Sequence, residues 1–475
     1  MPTADARYPG VERARPESRV LAVTDIRDLR NAPAMPGELT DETPAGSTIG
    51  DLAKAPGPTK VPAARYTSPE FAALELERLW PHVWQVACTI DHVRDPGDWY
   101  EYTCGPLSVL LVRGQDSKLR AFQNVCRHRG NELCAGSGTG MTEIRCNYHR
   151  WCWDLSGRLR EVPSRKGFGA LRNDDYPLFE AQVGTWGPLV FVNLDLDAEP
   201  LEEFLSPVID DAAFLRPDEL ACRAIVTVPL PCNWKTGIDA FSETYHVQGI
   251  HRQMLCSTDD VNSPQADWPR HGKLGQPYGI PSPRLRDGAT DDEIWASFVA
   301  TQGARAGAPD PDNPGPVPER HDGESMRTLL ARLIREKSAS EGVDLGAFTD
   351  EQVTDLHQYN CFPNISPVFL AESLSCIRTR PGTTPDDCYL DIISCPRLPA
   401  GATDRGPRPI DVTLDAETAD LGAVFNQDIA NLRRAQRGLH QLGLTHLTLS
   451  REERRIISLH RNLERYLGIQ DGFPE

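Results

Sequence analysis

Two short hooks, Cys126-x-His128 and Cys146-x-x-His149, stand seventeen residues apart in the tract CRHRGNELCAGSGTGMTEIRCNYHRW. Each offers one thiolate and one imidazole to a common centre. Two sulfurs and two nitrogens could hold a tetrahedral zinc, yet structural zinc ordinarily uses C-x₂₋₄-C and H-x₃₋₅-H hooks. A second cluster lies in NWKTGIDAFSETYHVQGIH, residues 233–251. Read as a helix, Asp239, Glu243 and His246 fall at i, i+4 and i+7 and share one face. Trp234, Ile238, Phe241 and Tyr245 point to burial, and buried carboxylates and histidines need partners, of which a metal is the usual one.

His246 and His251 are five residues apart, about 140° around an ideal helix, so they converge only if the helix ends or distorts between them. Gly249 is the expected place. This spacing argues against H-E-x-x-H, which needs i, i+4. The best third ligand is Asp428 in FNQDIANLRRAQRGLH, expected to open an amphipathic helix with Ile429 and Leu432 inward. Two imidazoles and one carboxylate with open positions describe the facial triad of non-haem Fe(II) oxygenases.

The elements that must position these groups read as follows. Residues 1–60, rich in Pro, Ala and charge, are expected to form a flexible arm. Over 61–83, Ser68-Pro69-Glu70 starts a leading helix, with Ser as N-cap and Pro at the first position. Residues 84–196 alternate short β-type runs (SVLLVRG, LRAFQNV, PLVFVNLDLD) with turn residues, an all-β domain. From 200 to 475 strands (ACRAIVTVPL, LSCIRTRPG, CYLDIISCP) mix with helical stretches, notably 420–441, an α+β domain. Two Pro/Gly-rich loops, 304–323 and 398–409, read as lids or disordered insertions. AGSGTG (135–140) does not open a helix after a strand and reads as a turn, not a nucleotide loop.

A formal charge of −18 and a pI near 5.2 argue against nucleic acid and anionic membranes as partners. No stretch approaches eighteen apolar residues, and the N-terminus lacks the apolar core of a signal peptide. A soluble, cytoplasmic protein is the expectation. Thirteen scattered cysteines do not make a disulfide framework. Cys134 and Cys152, outside the hooks, are expected to pack, and His82, 92, 271, 321, 357, 440, 446 and 460 carry no spacing signal.

The hooks resemble the Rieske fingerprint C-x-H-(15–17)-C-x-x-H, with matching flanks at Arg129-Gly130, Tyr148 and Trp151-Cys152-Trp153. With NWKTGIDAFSETYHVQGIH, the FPN element Phe362-Pro363-Asn364 and, more loosely, QDIANLRRAQRGL, residues 60–470 resemble the catalytic alpha subunit of Rieske non-haem iron oxygenases of the aromatic-ring-hydroxylating dioxygenase family. The resemblance implies an α+β chain: an N-terminal all-β Rieske domain, then a helix-grip catalytic domain. It implies one [2Fe–2S] cluster on Cys126, His128, Cys146 and His149, and one mononuclear Fe(II) on His246, His251 and Asp428. Glu243 takes the place of the carboxylate that links His246 to His149 of an adjacent chain in a trimer. One departure is Ala240, where the family commonly has Asn; Asp239 before it is either an outer-sphere catalytic carboxylate or half of a salt bridge.

The implied partners are a reductase or ferredoxin, O₂, a hydrophobic or aromatic small molecule, and two further copies in a homotrimer, with or without a β subunit. The implied reaction is ring dihydroxylation. The short Phe241-to-His246 spacing resembles that of some monooxygenases and demethylases, which stand as the alternative. A zinc-stabilised binding protein without redox activity is the alternative from another class. The substrate pocket is expected near Phe241, Phe362, Ile365 and Phe369, with no basic cluster dedicated to a carboxylate.

Overall fold

The computed structural model describes residues 58–308 and 310–469; the expected arm lies, up to residue 57, outside them. At its end Thr59–Pro62 forms a strand that pairs antiparallel with His446–Leu449, straddling the expected boundary between arm and leading helix at residue 60. Helix α1 (Pro69–Arg78) starts as its residues dictate: the Ser68 side chain accepts from the backbone N–H of Glu70 and Phe71, and Pro69 fills the first position. Its Phe71 and Glu75 are buried.

The first domain is built on a seven-stranded antiparallel sheet in the order Gln85–Thr89, Leu189–Asn193, Glu180–Trp186, Leu119–Gln123, Leu107–Arg113, Trp99–Cys104, Ser137–Gly138. A three-stranded sheet (Ile144–Arg145, Cys152–Trp153, Leu159–Glu161) stands against it and carries the second hook. Gly157 turns this sheet at φ +80°, where an added Cβ would lie 2.6 Å from the Phe122 ring. The tract 135–140 is a turn and edge, with Gly136 and Gly140 at positive φ.

The second domain centres on an eight-stranded sheet whose strands run, in spatial order, Gln265–Asp267, Gly272–Gln276, Leu356–Asn360, Ile365–Leu370, Ser373–Pro381, Cys388–Pro396, Ala224–Leu230 and Ile410–Thr413. All pairs are antiparallel except the last. Its helices include α2 (Trp234–Asp239), α3 (Val247–Ile250), α4 (Asp291–Gln302), α5 (Met326–Ser340), α6 (Ala423–Leu439) and α7 (Arg454–Leu467). The chain is α+β, as expected.

One apolar core runs through both domains, reinforced by buried charge. Arg378 donates to the backbone oxygens of Val86 and Ala87 and to Asp391, and Arg380 joins Asp391 to Thr103 O. Burial opposes charge on Asp391, but the two guanidiniums prevail and hold it well below the usual carboxylate range. The 398–409 loop is a clasp, not a lid: Arg405 pairs with Asp91, and Arg408 with Asp95 and Asp98. The 304–323 loop is tied by Arg305 to Glu372 and by Trp295 Nε1 to Pro314 O. Among the described residues no helix is long and apolar enough to cross a membrane.

Candidate metal centres

The segment from Asn233 to His251 is not one helix. Helix α2, capped by the Asn233 side chain, ends at Asp239, and α3 begins at Val247. Side chains have captured the backbone groups that a continuous helix would have used. The carbonyl of Phe241 accepts from Asn360 Nδ2 at 2.8 Å and from the Gln358 amide, both on one strand of the large sheet. Ser242 bonds back to Ile238 O, and Thr244 Oγ1 bonds Asp260 O at 3.0 Å. One break therefore lies before His246 and removes the single shared face; the helix also ends between His246 and His251 as expected, at Ile250, one residue past Gly249. His251 sits at the end of α3 with φ −111° and ψ 39°, which lets the two imidazoles converge to 5.0 Å between ring centroids.

Asp428 comes from the second turn of α6, which starts at Ala423 within the expected 420–441 stretch and not at Asp428 itself, so an N-cap role is ruled out. Leu432 is buried and Ile429 half-buried on the same helix. Gln436, two turns on, fixes α6 to the start of α2 by accepting from Asn233 N (2.9 Å) and Thr236 Oγ1 (3.1 Å). Donor atoms of His246, His251 and Asp428 all lie within 4.8 Å of one another. Nε2 of His251 is 2.9 Å, and Nε2 of His246 3.9 Å, from Asp428 Oδ1.

Both imidazoles are held from behind. His246 Nδ1 is 2.6 Å from Glu243 Oε1, and the other carboxylate oxygen accepts from the His246 backbone N–H at 3.0 Å. His251 Nδ1 is 2.8 Å from Gln427 Oε1. With each Nδ1 proton given outward, both Nε2 lone pairs face the third donor, the orientation that metal-binding histidines take. Burial disfavours charge on His246, yet the Glu243 hydrogen bond and charge, with Asp428 behind them, raise its pKa. Gln427 was missed in the sequence; its only signal is adjacency to Asp428.

The Rieske-type hooks come from two loops with a shared backbone device. In each, the residue four after the cysteine donates its N–H to the cysteine carbonyl, Gly130 to Cys126 (3.0 Å) and Arg150 to Cys146 (3.1 Å). Both adopt positive φ, +73° and +64°. Cys126 and Cys146 are buried. The His128 and His149 rings lie 4.6 Å apart, and His128 stacks on Trp151 at 5.2 Å and 5°. His128 Nδ1 is buried without a hydrogen-bond partner.

Asp239 stands outside the triad. Its Oδ2 accepts from Tyr66 OH at 2.7 Å, and Tyr66 OH lies 2.8 Å from His460 Nε2. Burial pushes the Asp239 carboxyl up to about 7 against the Tyr66 bond and the Lys235 charge. Among the described residues Asp239 has no ion-pair partner, and the nearby Lys235 pairs with Glu75 at 2.6 Å. Of the residues expected to line a pocket, Phe362 and Ile365 border a cavity beside Ile238 and Ser242. Phe241 packs on Phe425, while Phe369 belongs to the core against Trp186 and Tyr359.

Comparisons with known proteins bear on both centres. Residues 217–469 match the family model for the ring hydroxylating alpha subunit (catalytic domain), and residues 83–177 that for the Rieske [2Fe-2S] domain. The chain is 32% identical over 191 residues to benzene 1,2-dioxygenase subunit alpha of Pseudomonas putida, covering 38% of this chain and 42% of that one. It is 29% identical over 242 residues to the carnitine monooxygenase oxygenase subunit of Escherichia coli K12, covering 50% and 63%. The matched stretch thus spans about half the length of these curated relatives. Among solved structures, a quaternary ammonium Rieske monooxygenase in complex with L-carnitine superposes with a TM-score of 0.61 at 17% identity, covering 90% of this chain and 99% of that one. Naphthalene 1,2-dioxygenase from Rhodococcus sp. bound to indole gives 0.58 at 18% identity, covering 89% and 97%. These likenesses establish the shared fold.

In this family the Rieske domain carries a [2Fe–2S] cluster and the catalytic domain a mononuclear iron. The residues present fit both groups. The orphaned, buried Nδ1 of His128 beside two buried thiols suits the cluster. Two oriented imidazoles converging with a buried carboxylate suit the iron.

Proposed function

Because the chain belongs to the family of ring-hydroxylating alpha subunits with an N-terminal Rieske domain, we propose that it is the oxygenase component of an electron-fed system that hydroxylates a small, largely apolar molecule with O₂. The observation that carries this reading is the convergence of His246, His251 and Asp428 within 4.8 Å, with Glu243 and Gln427 behind the two imidazoles. Cys126, His128, Cys146 and His149 would hold the cluster, and His246, His251 and Asp428 the Fe(II). When bound, the cluster would supply single electrons at a potential of roughly −150 to +300 mV, and the iron would supply the chemistry of O₂ activation.

The protein's own groups do the rest. Glu243 accepts a hydrogen bond from Nδ1–H of His246 and fixes the tautomer that leaves Nε2 free; Gln427 does the same for His251. Phe241 and Phe425 exclude water from one side. Tyr245, His246 and Glu243 retain some exposure on the outer side, which gives Glu243 access to His149 of a second copy in a homotrimer, with or without a β subunit. Electrons enter from a separate reductase or ferredoxin. Asp239 would serve as an outer carboxylate, raised by burial so that it titrates near neutrality, and held by Tyr66.

Ring dihydroxylation is the first reading of the product. Monohydroxylation or dealkylation is the second, favoured by the short Phe241-to-His246 spacing. Turnover under ¹⁸O₂ with a surrogate reductase and a panel of arenes and N- or O-methyl compounds tests both. Two labelled oxygens in one product support the first, and one label supports the second. No substrate-dependent label from protein loaded at both centres would overturn the oxygenase reading.

A further inference from the structure

A cavity of about 30 Å³ lies between α7 (Arg455, Ser458, Leu459), the stretch that leads to His246 (Ile238, Ser242) and the Phe362–Ile365 turn. Its walls are mostly apolar, and Arg455 is among the residues that line it. Arg455 is 4% exposed. Its Nε donates to Ser242 O at 2.7 Å and its Nη1 to Gln265 Oε1 at 2.6 Å. Its Nη2 is buried with no partner. Among the described residues no carboxylate lies within ion-pair distance of Arg455; the ion pair on this turn of α7 belongs to its neighbour, Arg454 with Asp267. The other basic side chains on the wall are committed. His271 uses one ring nitrogen toward Phe204 O and the other toward Phe362 N, and Arg270 pairs with Glu199.

Burial and the nearby Arg454 pull the Arg455 guanidinium down to about 10, so it keeps its charge at neutral pH, with Asp267 and Glu243 acting on it only from a distance. A buried cation with no counterion is costly, far more than an orphaned neutral donor, and water in the cavity would satisfy Nη2 without balancing the charge. At roughly 10–15 Å³ for each water-sized atom, the cavity holds two oxygens. Asn360 borders the same space, its Oδ1 buried and also without a partner, and would take a hydroxyl or water donor beside the anion. Arg270 is common to this wall and to that of a wider groove of about 570 Å³ that includes Asn462, Arg465 and Tyr466. Phe362 on the inner wall and Tyr466 on the outer one pack with ring centroids 5.3 Å apart, an apolar surface at the boundary of the two spaces.

We propose that this cavity is a carboxylate subsite, in which Arg455 selects an anionic small molecule with an apolar body. That the bound carboxylate is a substrate rests on the oxygenase reading above; that Arg455 binds one does not. The test is calorimetric titration of the cofactor-loaded full chain with acetate and benzoate at fixed ionic strength. Acetamide and benzamide serve as uncharged isosteres, and Arg455→Gln as the variant. At least one carboxylate should bind ~30-fold or more tightly than its amide, and Arg455→Gln should remove that preference. Arg455→Lys, which keeps the charge and loses the fork, should retain part of it. Equal binding of acid and amide, no binding of either acid, or a preference unchanged in Arg455→Gln would overturn the proposal. If Arg455→Gln does not fold, the acid-against-amide comparison in the unaltered chain decides. Cluster EPR and iron content on the same samples separate the two ideas: missing metal with intact acid preference would sink the oxygenase reading and leave the subsite standing.

Discussion

Replacing Glu243 with Gln isolates what the carboxylate does for His246. The structure gives it two bonds to that one residue, Oε1 to the ring at 2.6 Å and Oε2 to the backbone N–H at 3.0 Å. Glutamine keeps the shape and one acceptor, but its amide N–H₂ must face one of the two donors. One bond is lost, and the survivor is no longer charge-assisted. Hydrogen bonds to a charged group are worth about 1.5–3 kcal/mol, which at 1.4 kcal/mol per decade is a factor of roughly 10–100, the range found when an outer partner of a metal-bound histidine is removed. Glu243→Gln should therefore lose mononuclear iron to a competing chelator at a concentration ~10–100-fold lower than the unaltered chain requires. The two cluster irons and the sulfide, held by residues on another domain, should stay. The assay is iron and sulfide content after graded dialysis, with the cluster signal as internal control. Equal retention in both proteins would refute the role given to Glu243, and equal loss from both centres would mean that the substitution had damaged the fold.

The buried pair Lys235–Glu75, with side chains 1% and 2% exposed, makes a stability prediction. Lys235→Met strands the carboxylate and should cost about 3–5 kcal/mol in denaturant unfolding, more than half of it recovered in the double variant with Glu75→Gln. His271 is held by burial at a pKa of about 4 against an ordinary 6.5. The unfolded chain thus binds more protons between those values, and stability falls as pH drops through that window, by about 3 kcal/mol when complete. His460 is shifted the same way and Asp239 the opposite way, so the difference between the unaltered chain and His271→Gln isolates the contribution; it should shrink from pH 7 to pH 4. At the hooks, Gly130→Ala meets no atom within 4 Å and should cost about 1 kcal/mol from left-handed backbone alone, while Arg150→Gly relieves a similar strain and should leave the cluster signal unchanged.

The hooks were legible because every ligand lies within a few residues of its partner along the chain, and local spacing survives folding. The leading helix was legible for the same reason, its start being written in Ser68 and Pro69. Asp428 was found through its motif, but its place in the helix was not, because the preceding turn AVFNQ has no conventional cap and begins from Gly422 at φ +87°. The end of the helix beside Gly249 was legible, but the earlier break between Asp239 and Val247 was not, because the groups that cause it, Gln358 and Asn360, lie more than a hundred residues downstream. Gln427 behind His251 and Tyr66 on Asp239 are likewise tertiary contacts with no periodic signature. Arg455 escaped notice for a physical reason: a buried unpaired arginine looks, in sequence, like any arginine of a helix rich in them (REERRIISLHR). The composition of the loop 398–409 reads as a lid or a disordered insertion, whereas its arginines clasp Asp91, Asp95 and Asp98 across the domain boundary.

The claim at the centre of this account is that one chain carries two iron centres, on Cys126, His128, Cys146 and His149 and on His246, His251 and Asp428. Iron, zinc and acid-labile sulfide content of anaerobically purified protein, with EPR before and after dithionite, tests it most directly. The account predicts about three irons and two sulfides per chain and a rhombic signal on reduction. Stoichiometric zinc without sulfide, and a silent spectrum, would contradict it.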